Sequence, residues 1–335
     1  MTTGRTLLQE RLASIVKRFR ERRILVVGDV IADQFVYGAI SRVSREAPVF
    51  ILRHEQTETV PGGAANCAMN LISLGARVSL IGVAGEDVAG RALVERLEAV
   101  GVDCTGLLIS EGLLTTTKVR ILAGQLHSTR QQVIRLDYEG ATLKSEFLEP
   151  LRERVVEQVK TSDAVIISDY NYGVASADVA REVRDAATRE GIPVLVDSRF
   201  RLNEFQGFTS ATPNEDEVEQ LLGKQLASVS DLESAGEEMR ERLGYRALLI
   251  TRGSHGMMLF EGSVAPIHID AVGAREPVDV TGAGDTVIAA YALAIASHAS
   301  FPDAAHLANY AGGLVVMKRG TASVSGDELV ESLLR

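Results

Sequence analysis

Short apolar runs recur along the chain, and helical patterns separate several of them. The first run, Ile24 to Gly28, is continuous and ends in Gly-Asp, which is typical of a strand buried on both faces of a sheet. Similar runs lie at 77–83, 164–168, 194–196 and 247–251, and helical patterns lie at 64–74 and 89–99. This alternation predicts an α/β fold in which helices cover both faces of a mostly parallel central sheet.

Two regions, at about 34–60 and 104–138, break this rhythm. Residues 115–121 and 131–136 alternate in polarity instead of repeating at helical spacing, which predicts strands. We interpret both regions as antiparallel strands of a small sheet that projects from the main body as a lid. A plain surface hairpin is the alternative. Because an exposed strand edge needs a partner, we expect a homodimer formed through the lid strands.

Size and charge limit the possible classes of protein. The chain has 335 residues, 46% of them hydrophobic, which is enough for a large core. Length alone allows two domains or one large α/β domain, and we expect a single domain over 1–335. The net charge of −10, without a long basic stripe to offset it, argues against a nucleic-acid partner.

Cysteines and hydropathy bear on the cellular location. Cys67 and Cys104 are the two cysteines, and they lack metal-ligand spacing, so a reducing cytoplasm is expected. The best apolar run, 287–297, is shorter than the roughly 20 residues that span a bilayer. We therefore expect no membrane partner.

The segment 279–286, Asp-Val-Thr-Gly-Ala-Gly-Asp-Thr, carries the strongest chemical signal. Glycines just before a helix leave amide groups unpaired, and these amides, with the positive end of the helix dipole, favour binding of an anion such as phosphate. Asp285 falls in the first turn of the helix, where a carboxylate repels phosphate. Proton abstraction from an attacking hydroxyl would explain its presence. The alternative is that Asp285 only caps the helix.

Several known nucleotide-binding patterns are absent from the sequence. It contains no Gly-x-x-x-x-Gly-Lys-[Ser/Thr] loop and no protein-kinase motif set. The turn at Gly28-Asp29 lacks the full dinucleotide fingerprint, which argues against a dehydrogenase.

Three further segments contribute candidate binding residues. Paired glycines open the segment 61–66, where Asn66 offers both a donor and an acceptor to a polyol, and Asp33 can accept bonds from sugar hydroxyls. Asn214 and Glu217 are spaced to share a helix face and to hold water around Mg²⁺, although a capped helix explains them equally well. The segment 251–256 has two glycines after a strand, and it is either a nucleotide loop or a simple turn.

In combination, these segments resemble the ribokinase-like, or PfkB, family of carbohydrate kinases. Segments 61–66 and 279–285 resemble its two signatures, Asn214 and Glu217 resemble its magnesium-associated motif, and their order matches over roughly residues 20–330. The resemblance implies a three-layer αβα sandwich with a small β-sheet lid. It also implies ATP-dependent phosphorylation of a sugar or sugar phosphate, with Mg²⁺ as cofactor.

The resemblance assigns roles to individual residues. It makes Asp285 the base and gives the anion hole to the amides of Gly282, Ala283 and Gly284. The residues implied to bind substrate are Asp33, Gly62, Gly63 and Asn66 for the sugar, and Lys118, Arg120 and Arg135 for its phosphate. Those implied to bind nucleotide are Asn214, Thr251, Gly253, Gly256 and Asn309. Asn214 and Glu217 are implied to bind Mg²⁺ through water. Asp279 and Thr281 are implied to bind a monovalent cation, K⁺.

Within the family, the likeness is greatest to the kinases of D-glycero-β-D-manno-heptose 7-phosphate in the ADP-heptose route to lipopolysaccharide. It is carried by the stretches 28–33, 41–49, 132–137 and 279–288. It implies phosphorylation of O1 to give the 1,7-bisphosphate. Two stretches depart from those kinases, whose Asp-Tyr-Ala-Lys-Gly is here Asp-Tyr-Asn-Tyr-Gly at 169–173 and whose Asp-Pro-Lys-Gly is Asp-Ser-Arg-Phe at 197–200. Arg199 keeps a cation that can bind phosphate with a different geometry.

Two other functions remain open from the sequence. One is a kinase of the same family for another sugar, sugar phosphate or nucleoside. The other is a sugar- or nucleotide-binding sensor without catalysis. Since the chain ends soon after the kinase pattern, we expect no fused nucleotidyltransferase domain.

Overall fold

Thirteen strands form two sheets in the part of the chain that the computed structural model describes. The described residues are 2–124, 130–139, 143–262, 264–273 and 276–335, with side chains from residue 7 onward. The strands are β1 (Arg23–Gly28), β2 (Val30–Val43), β3 (Phe50–Gly63), β4 (Arg77–Gly85), β5 (Leu107–Ser110), β6 (Thr117–Gly124), β7 (Gln131–Tyr138), β8 (Ala164–Asp169), β9 (Val194–Ser198), β10 (Ser210–Ala211), β11 (Ala247–Thr251), β12 (Met257–Glu261) and β13 (Ile267–Ile269).

The large sheet has nine strands in the order β13-β12-β11-β10-β9-β8-β1-β4-β5. Pairing is parallel from β11 to β5, and β12 and β13 add an antiparallel edge. The predicted mostly parallel sheet is therefore confirmed, and the runs at 24–28, 77–83, 164–168, 194–196 and 247–251 each form one of its strands.

Ten α-helices complete the described fold. They are α1 (Thr2–Val16), α2 (Ala64–Ser73), α3 (Val88–Ala99), α4 (Leu148–Val159), α5 (Ala177–Glu190), α6 (Glu215–Leu222), α7 (Val229–Leu243), α8 (Ala283–Ala296), α9 (Phe301–Val315) and α10 (Gly326–Leu334). One core packs α1, α2, α3, α8, α9 and α10 on one face of the large sheet, and a second packs α4 to α7 on the other.

Strand β1 shows why the sequence gives three layers. Ile24 and Val26 point into the first core, whereas Leu25 and Val27 point into the second. Successive side chains of a strand face opposite sides of a sheet, so a strand that is apolar at every position must be covered on both faces. The three-layer αβα sandwich is confirmed.

The smaller sheet has the order β3-β2-β6-β7 and forms the lid that was predicted. Two details of that prediction were wrong. The central pair, β2 with β6, is parallel, and the second lid segment begins at Thr117, because β5 joins the edge of the large sheet instead. Residues 125–129 of that segment lie outside the described residues.

Polar side chains collect where the parallel strands end. Asp29 follows β1, Tyr170 follows β8, and Asp197 and Ser198 close β9. The carboxyl ends of parallel strands share one edge of a sheet, and ligand sites of open α/β folds lie at that edge. No helix among the described residues is long and apolar enough to cross a membrane.

Candidate active site

The glycine turn before α8 places Asp285 in the first turn of that helix. Gly282 is the N-cap, with φ of 76° and ψ of 9°, a left-handed conformation that favours glycine. A Cβ atom at this position would also lie 2.6 Å from the Asn66 side-chain nitrogen. Conformation and close approach therefore both require glycine here.

Asp285 does not cap the helix, which decides against the alternative raised from the sequence. Gly282 occupies the N-cap position, and no side chain caps this end. The Asp285 carboxylate instead accepts a 2.6 Å hydrogen bond from the Asn66 amide and a 3.2 Å bond from the Tyr170 hydroxyl. Its contacts belong to the site and not to its own helix.

The amides of the glycine turn are available in part. The Ala283 amide donates to the Val280 carbonyl at 3.2 Å, so Ala283 is engaged within the turn. The amides of Gly282 and Gly284 have no backbone acceptor among the described residues. Gly282 and Gly284 are thus left to receive an anion, and the expected contribution of the Ala283 amide is not supported by this geometry.

The Asp285 carboxyl has a strongly perturbed pKa. Burial raises it to about 7, and the negative charge of Asp197 adds to the rise, while the bonds from Asn66 and Tyr170 oppose it. A carboxylate with a pKa near neutrality is suited to accept a proton from a hydroxyl at physiological pH. Perturbed groups of this kind cluster at functional sites.

Two cavities meet at the glycine turn. The first, about 500 Å³, is polar and has Asp285 in its wall. The second, about 210 Å³, is mainly apolar and contains Met257, Val272 and Val287. Thr251, Val280, Ala283 and Gly284 line both, and a Cβ atom at Gly284 would contact nothing within 4 Å. A ligand can therefore extend from the apolar cavity past the turn to Asp285.

The structure brings nearly all the expected site residues to these two cavities. Those in the polar cavity are Asp33, Gly62, Gly63, Asn66, Lys118, Arg120, Arg135, Arg199, Asn214, Glu217, Thr251, Thr281, Gly282, Ala283, Gly284 and Asp285. Gly253, Gly256 and Asn309 line the apolar cavity, where the Asn309 side chain is held by the Asp270 carbonyl at 2.8 Å. Asp279 lines neither.

Four cationic side chains line the polar cavity, three from lid strands and Arg199 from the segment after β9, and two of the four are paired. Arg120 forms an ion pair with Asp33, and Arg135 binds Asp137 through two bonds of 2.7 and 2.6 Å. Lys118 lies over the rings of Tyr170 and Tyr172, at 5.4 and 5.9 Å. Lys118 and Arg199 form no ion pair with a described residue, and burial lowers the pKa of Lys118 while the charge of Asp33 opposes that shift.

Asn214 and Glu217 form the capped helix that the sequence offered as the alternative to a metal-binding pair. Helix α6 begins at Glu215, so Asn214 is its N-cap, and the two residues form a reciprocal capping box with bonds of 2.8 and 2.9 Å. Both still line the polar cavity. Burial, with the nearby charge of Asp197, raises the pKa of Glu217 to about 7.

Asp279 lies shortly before the glycine turn in the sequence. Its two carboxylate oxygens each accept a 2.9 Å bond from an amide, one from Thr281 and one from Gly320. These bonds lower the pKa of the carboxyl despite its partial burial. Asp279 thereby joins the start of the turn to the segment before α10.

Two site residues, Tyr170 and Asp197, were not among those expected from the sequence. Tyr170 reaches Asp285 directly, and Asp197 is buried and lines the same cavity. Burial raises the pKa of Asp197 to about 6. A signal was present in both cases, because each polar residue closes or follows an apolar run that forms a strand.

The match to known proteins agrees with this geometry. Residues 21–327 match the model of the pfkB family carbohydrate kinases. The chain belongs to this family. Among its relatives in the family are the bifunctional protein HldE of Alcanivorax borkumensis, 42% identical over 94% of this chain, and that of Edwardsiella ictaluri, also 42% identical over 94%. The chain spans 64% of the length of each.

Solved structures of carbohydrate kinases share its fold. Arabidopsis thaliana ribokinase complexed with ribose and ATP superposes with a TM-score of 0.72, at 23% identity, over 93% of this chain and 98% of the other. Phosphofructokinase-2 from Escherichia coli in complex with potassium gives 0.77, at 21% identity, over 94% and 99%. The ribokinase-like fold expected from the sequence is confirmed.

Proposed function

We propose that this chain transfers the γ-phosphoryl group of ATP to O1 of D-glycero-β-D-manno-heptose 7-phosphate, giving the 1,7-bisphosphate. The observation that carries this proposal is the position of Asp285, with its raised pKa, at the junction of a polar and an apolar cavity. That junction allows a sugar hydroxyl and a nucleotide phosphate to meet beside one base. The likeness to the HldE proteins supports the choice of a heptose phosphate.

The apolar cavity suits the base of a nucleotide. Its wall combines aliphatic side chains with the loop at Gly253 and Gly256, and it opens toward the glycine turn. An adenine placed there would direct the triphosphate to the Gly282 and Gly284 amides at the positive end of α8. Those amides would stabilise the charge that develops on the transferring phosphoryl group.

The transfer needs one proton acceptor and an aligned hydroxyl. Asp285 takes the proton from O1 as the oxygen attacks the γ-phosphorus, and the bond from phosphorus to the bridging oxygen of ADP breaks. Asp33, Gly62, Gly63 and Asn66 surround the sugar and orient it. Closure of the lid over the cavity excludes water, so that ATP is not hydrolysed.

Lys118 and Arg199 are assigned to the 7-phosphate. Neither side chain forms an ion pair with a described carboxylate, although the charge of Asp33 acts on Lys118 and that of Arg199 acts on Asp197. Both line the polar cavity and an adjoining space of about 790 Å³. Arg135 and Arg120 lie beside them with carboxylate partners. A phosphate bound here would lose its water shell and would gain charge-assisted hydrogen bonds from Lys118 and Arg199. Such bonds are stronger than hydrogen bonds between neutral groups.

The carboxylates that line the polar cavity are suitable ligands for Mg²⁺. Asp197 and Glu217 are the two carboxylates concerned. Burial raises the pKa of both, and the charge of Asp197 adds to the rise at Glu217; oxygen ligands of this kind suit Mg²⁺. Asn214 and Glu217 would hold its water ligands. When bound, Mg²⁺ supplies neutralisation of the nucleotide phosphate charge.

A monovalent cation, K⁺, is proposed at Asp279 and Thr281. The Asp279 carboxylate uses one acceptor position of each oxygen for an amide, which leaves further lone pairs for a cation. Activity should rise when K⁺ replaces Na⁺ at equal ionic strength, and Asp279→Ala should remove that difference.

A second copy of the chain is proposed to cover the lid. Every residue of the edge strand β7 is exposed, including Val133, Ile134 and Leu136. An edge with this character is open to pairing with another chain. Light scattering of the protein at micromolar concentration should give the mass of a dimer, and a charged residue at Ile134 should give a monomer.

A coupled assay of ADP release tests the proposed reaction. Heptose 7-phosphate is compared with hexoses, hexose phosphates and nucleosides, and the product is identified by ³¹P NMR. The proposal predicts the highest kcat/KM for heptose 7-phosphate and a new anomeric phosphate in the product. A higher kcat/KM for another acceptor would move the assignment to a different kinase, and binding without ADP release would indicate a sensor.

A further inference from the structure

Tyr170 is the second donor to the carboxylate of the base. Its hydroxyl lies 3.2 Å from Oδ1 of Asp285, while the Asn66 amide lies 2.6 Å from Oδ2. Each carboxylate oxygen therefore has one donor, and each keeps a lone pair for a substrate hydroxyl. The two donors come from different elements, α2 and the loop after β8, so together they fix the plane of the carboxylate.

The direction of this bond is set by the surroundings. Burial raises the pKa of Tyr170 well above its usual value, and the charges of Asp285 and Asp197 add to the rise. The phenol therefore stays protonated over the physiological range and donates to the ionised carboxylate. A donor held against an ionised carboxylate favours that ionised form.

The loop that carries Tyr170 is anchored from below. The Asp29 carboxylate, at the end of β1, accepts amide bonds of 2.8 Å from Tyr170, 3.0 Å from Tyr172 and 3.0 Å from Val174. Asp29 is itself buried. Three bonds to one carboxylate hold the loop in a single position relative to the sheet.

The Tyr170 ring is covered from above by the lid. Lys118 of β6 places its Nζ atom 5.4 Å from the ring centroid. A cation over the face of an aromatic ring is an attractive contact, and it strengthens when water is excluded. The ring is therefore held between the anchored loop and a lid residue, which leaves its hydroxyl little freedom to leave Asp285.

We propose that Tyr170 is a positioning residue, which orients the Asp285 carboxylate toward the substrate hydroxyl and favours its ionised state. The inference rests on the proposed function only in taking Asp285 as the base. Nothing in the sequence pattern assigned this role to Tyr170.

The charged and polar groups that face Asp285 determine whether loss of the Tyr170 hydroxyl raises or lowers the pKa of Asp285. Asn66 and Cys67 face it from α2, Tyr170 from the loop after β8, Asp197 from β9 and Asp33 from β2. The two carboxylates disfavour ionisation of Asp285, and the two donors favour it. Removing the Tyr170 hydroxyl leaves the opposing charges in place, so the pKa of Asp285 must rise.

Tyr170→Phe tests the inference, because it removes one oxygen and keeps the ring under Lys118. The Asp285 carboxyl is followed by ¹³C NMR of protein labelled at aspartate Cγ, with its signal assigned by its loss in Asp285→Asn. The pKa of Asp285 is expected to rise by about one pH unit, the size of one hydrogen bond to a charged group. An unchanged pKa would overturn the inference.

Tyr172→Phe is the matched control. Tyr172 lies in the same loop and contacts the same lysine, with its ring 5.9 Å from Lys118 Nζ, but its hydroxyl makes no bond to Asp285 in the structure. Its loss should leave the pKa of Asp285 where it is in the parent protein. An equal rise in both variants would indicate a general disturbance of the loop and would contradict a specific role for Tyr170.

Kinetics separate this inference from the proposed reaction. In a parent protein that phosphorylates heptose 7-phosphate, Tyr170→Phe should move the acid limb of kcat/KM to higher pH and lower the plateau of kcat on the order of tenfold, with KM for ATP unchanged. Absence of activity on every sugar tested in the parent protein would contradict the proposed function. The NMR titration would still decide whether Tyr170 controls Asp285.

Discussion

The side-chain amide of Asn66 donates a 2.6 Å hydrogen bond to the carboxylate of Asp285. The two residues are 219 positions apart, and each follows a glycine turn that begins a helix. The bond joins α2 to α8, whose packing belongs to one continuous core. The bond therefore ties the start of α2, with the turn at Gly62 and Gly63, to the start of α8, with the turn at Gly282.

Asp197→Asn should extend the activity of the enzyme to lower pH. The charge of Asp197 raises the pKa of Asp285, so its removal lowers that pKa and moves the acid limb of kcat/KM to lower pH, by roughly half to one pH unit. The profile is measured at saturating Mg²⁺. Asp185→Asn, which removes an exposed acid on α5, should leave the limb in place. A shift to higher pH would contradict the assigned repulsion.

Arg199→Ala should weaken binding of the sugar phosphate selectively. Because Arg199 has no described ion-pair partner in the cavity, its loss removes charge-assisted bonds to phosphate, and KM for the sugar phosphate is expected to rise about 10- to 100-fold. KM for ATP should change by less than about twofold. The control is Arg181→Ala, since Arg181 pairs with Asp178 on the exposed face of α5. Equal changes in both KM values would argue against a phosphate site at Arg199.

Gly282→Ala should lose activity beyond its cost in stability. An alanine held in the left-handed conformation costs about 1–2 kcal/mol, and its Cβ atom would displace Asn66 from Asp285. Gly223→Ala is the matched control, because Gly223 has φ of 64° at the end of α6 and nothing within 4 Å of its Cβ position. Thermal unfolding should show similar losses for the two variants. Equal kcat values in the two variants would contradict the idea that a Cβ atom at Gly282 separates Asn66 from Asp285.

Local patterns were sufficient to predict the layers of the fold and the position of Asp285 in the first turn of a helix. The apolar run at 24–28 requires cover on both faces of its strand, and the structure provides it. The glycine turn at 282–284 requires a helix start, and α8 begins there. In each case the information lies within a few consecutive residues.

Contacts between distant segments could not be predicted in the same way. The bond from Tyr170 to Asp285 depends on where the loop after β8 lies relative to α8, which is a matter of strand order. The same reason applies to β5, whose four residues fit either sheet by pattern and join the large one through pairing with β4. Periodicity reports which face of an element is buried, but it does not report which neighbour covers it.

The region at 214–217 shows another limit of prediction from sequence. The spacing of Asn214 and Glu217 fits both a capping box and a pair of ligands around a metal, because both arrangements place oxygens one helical turn apart. The structure shows the capping box and also places both side chains in the polar cavity. Sequence spacing alone gave no means of separating these uses.

The role of Asp285 is tested most directly by Asp285→Asn, which keeps the shape of the side chain and removes its capacity to accept the proton. Turnover with heptose 7-phosphate is measured beside nucleotide affinity by calorimetry. A loss of at least about 10²-fold in kcat with an unchanged Kd for the nucleotide is the predicted result. Turnover near that of the parent protein would contradict the assignment of Asp285 as the base.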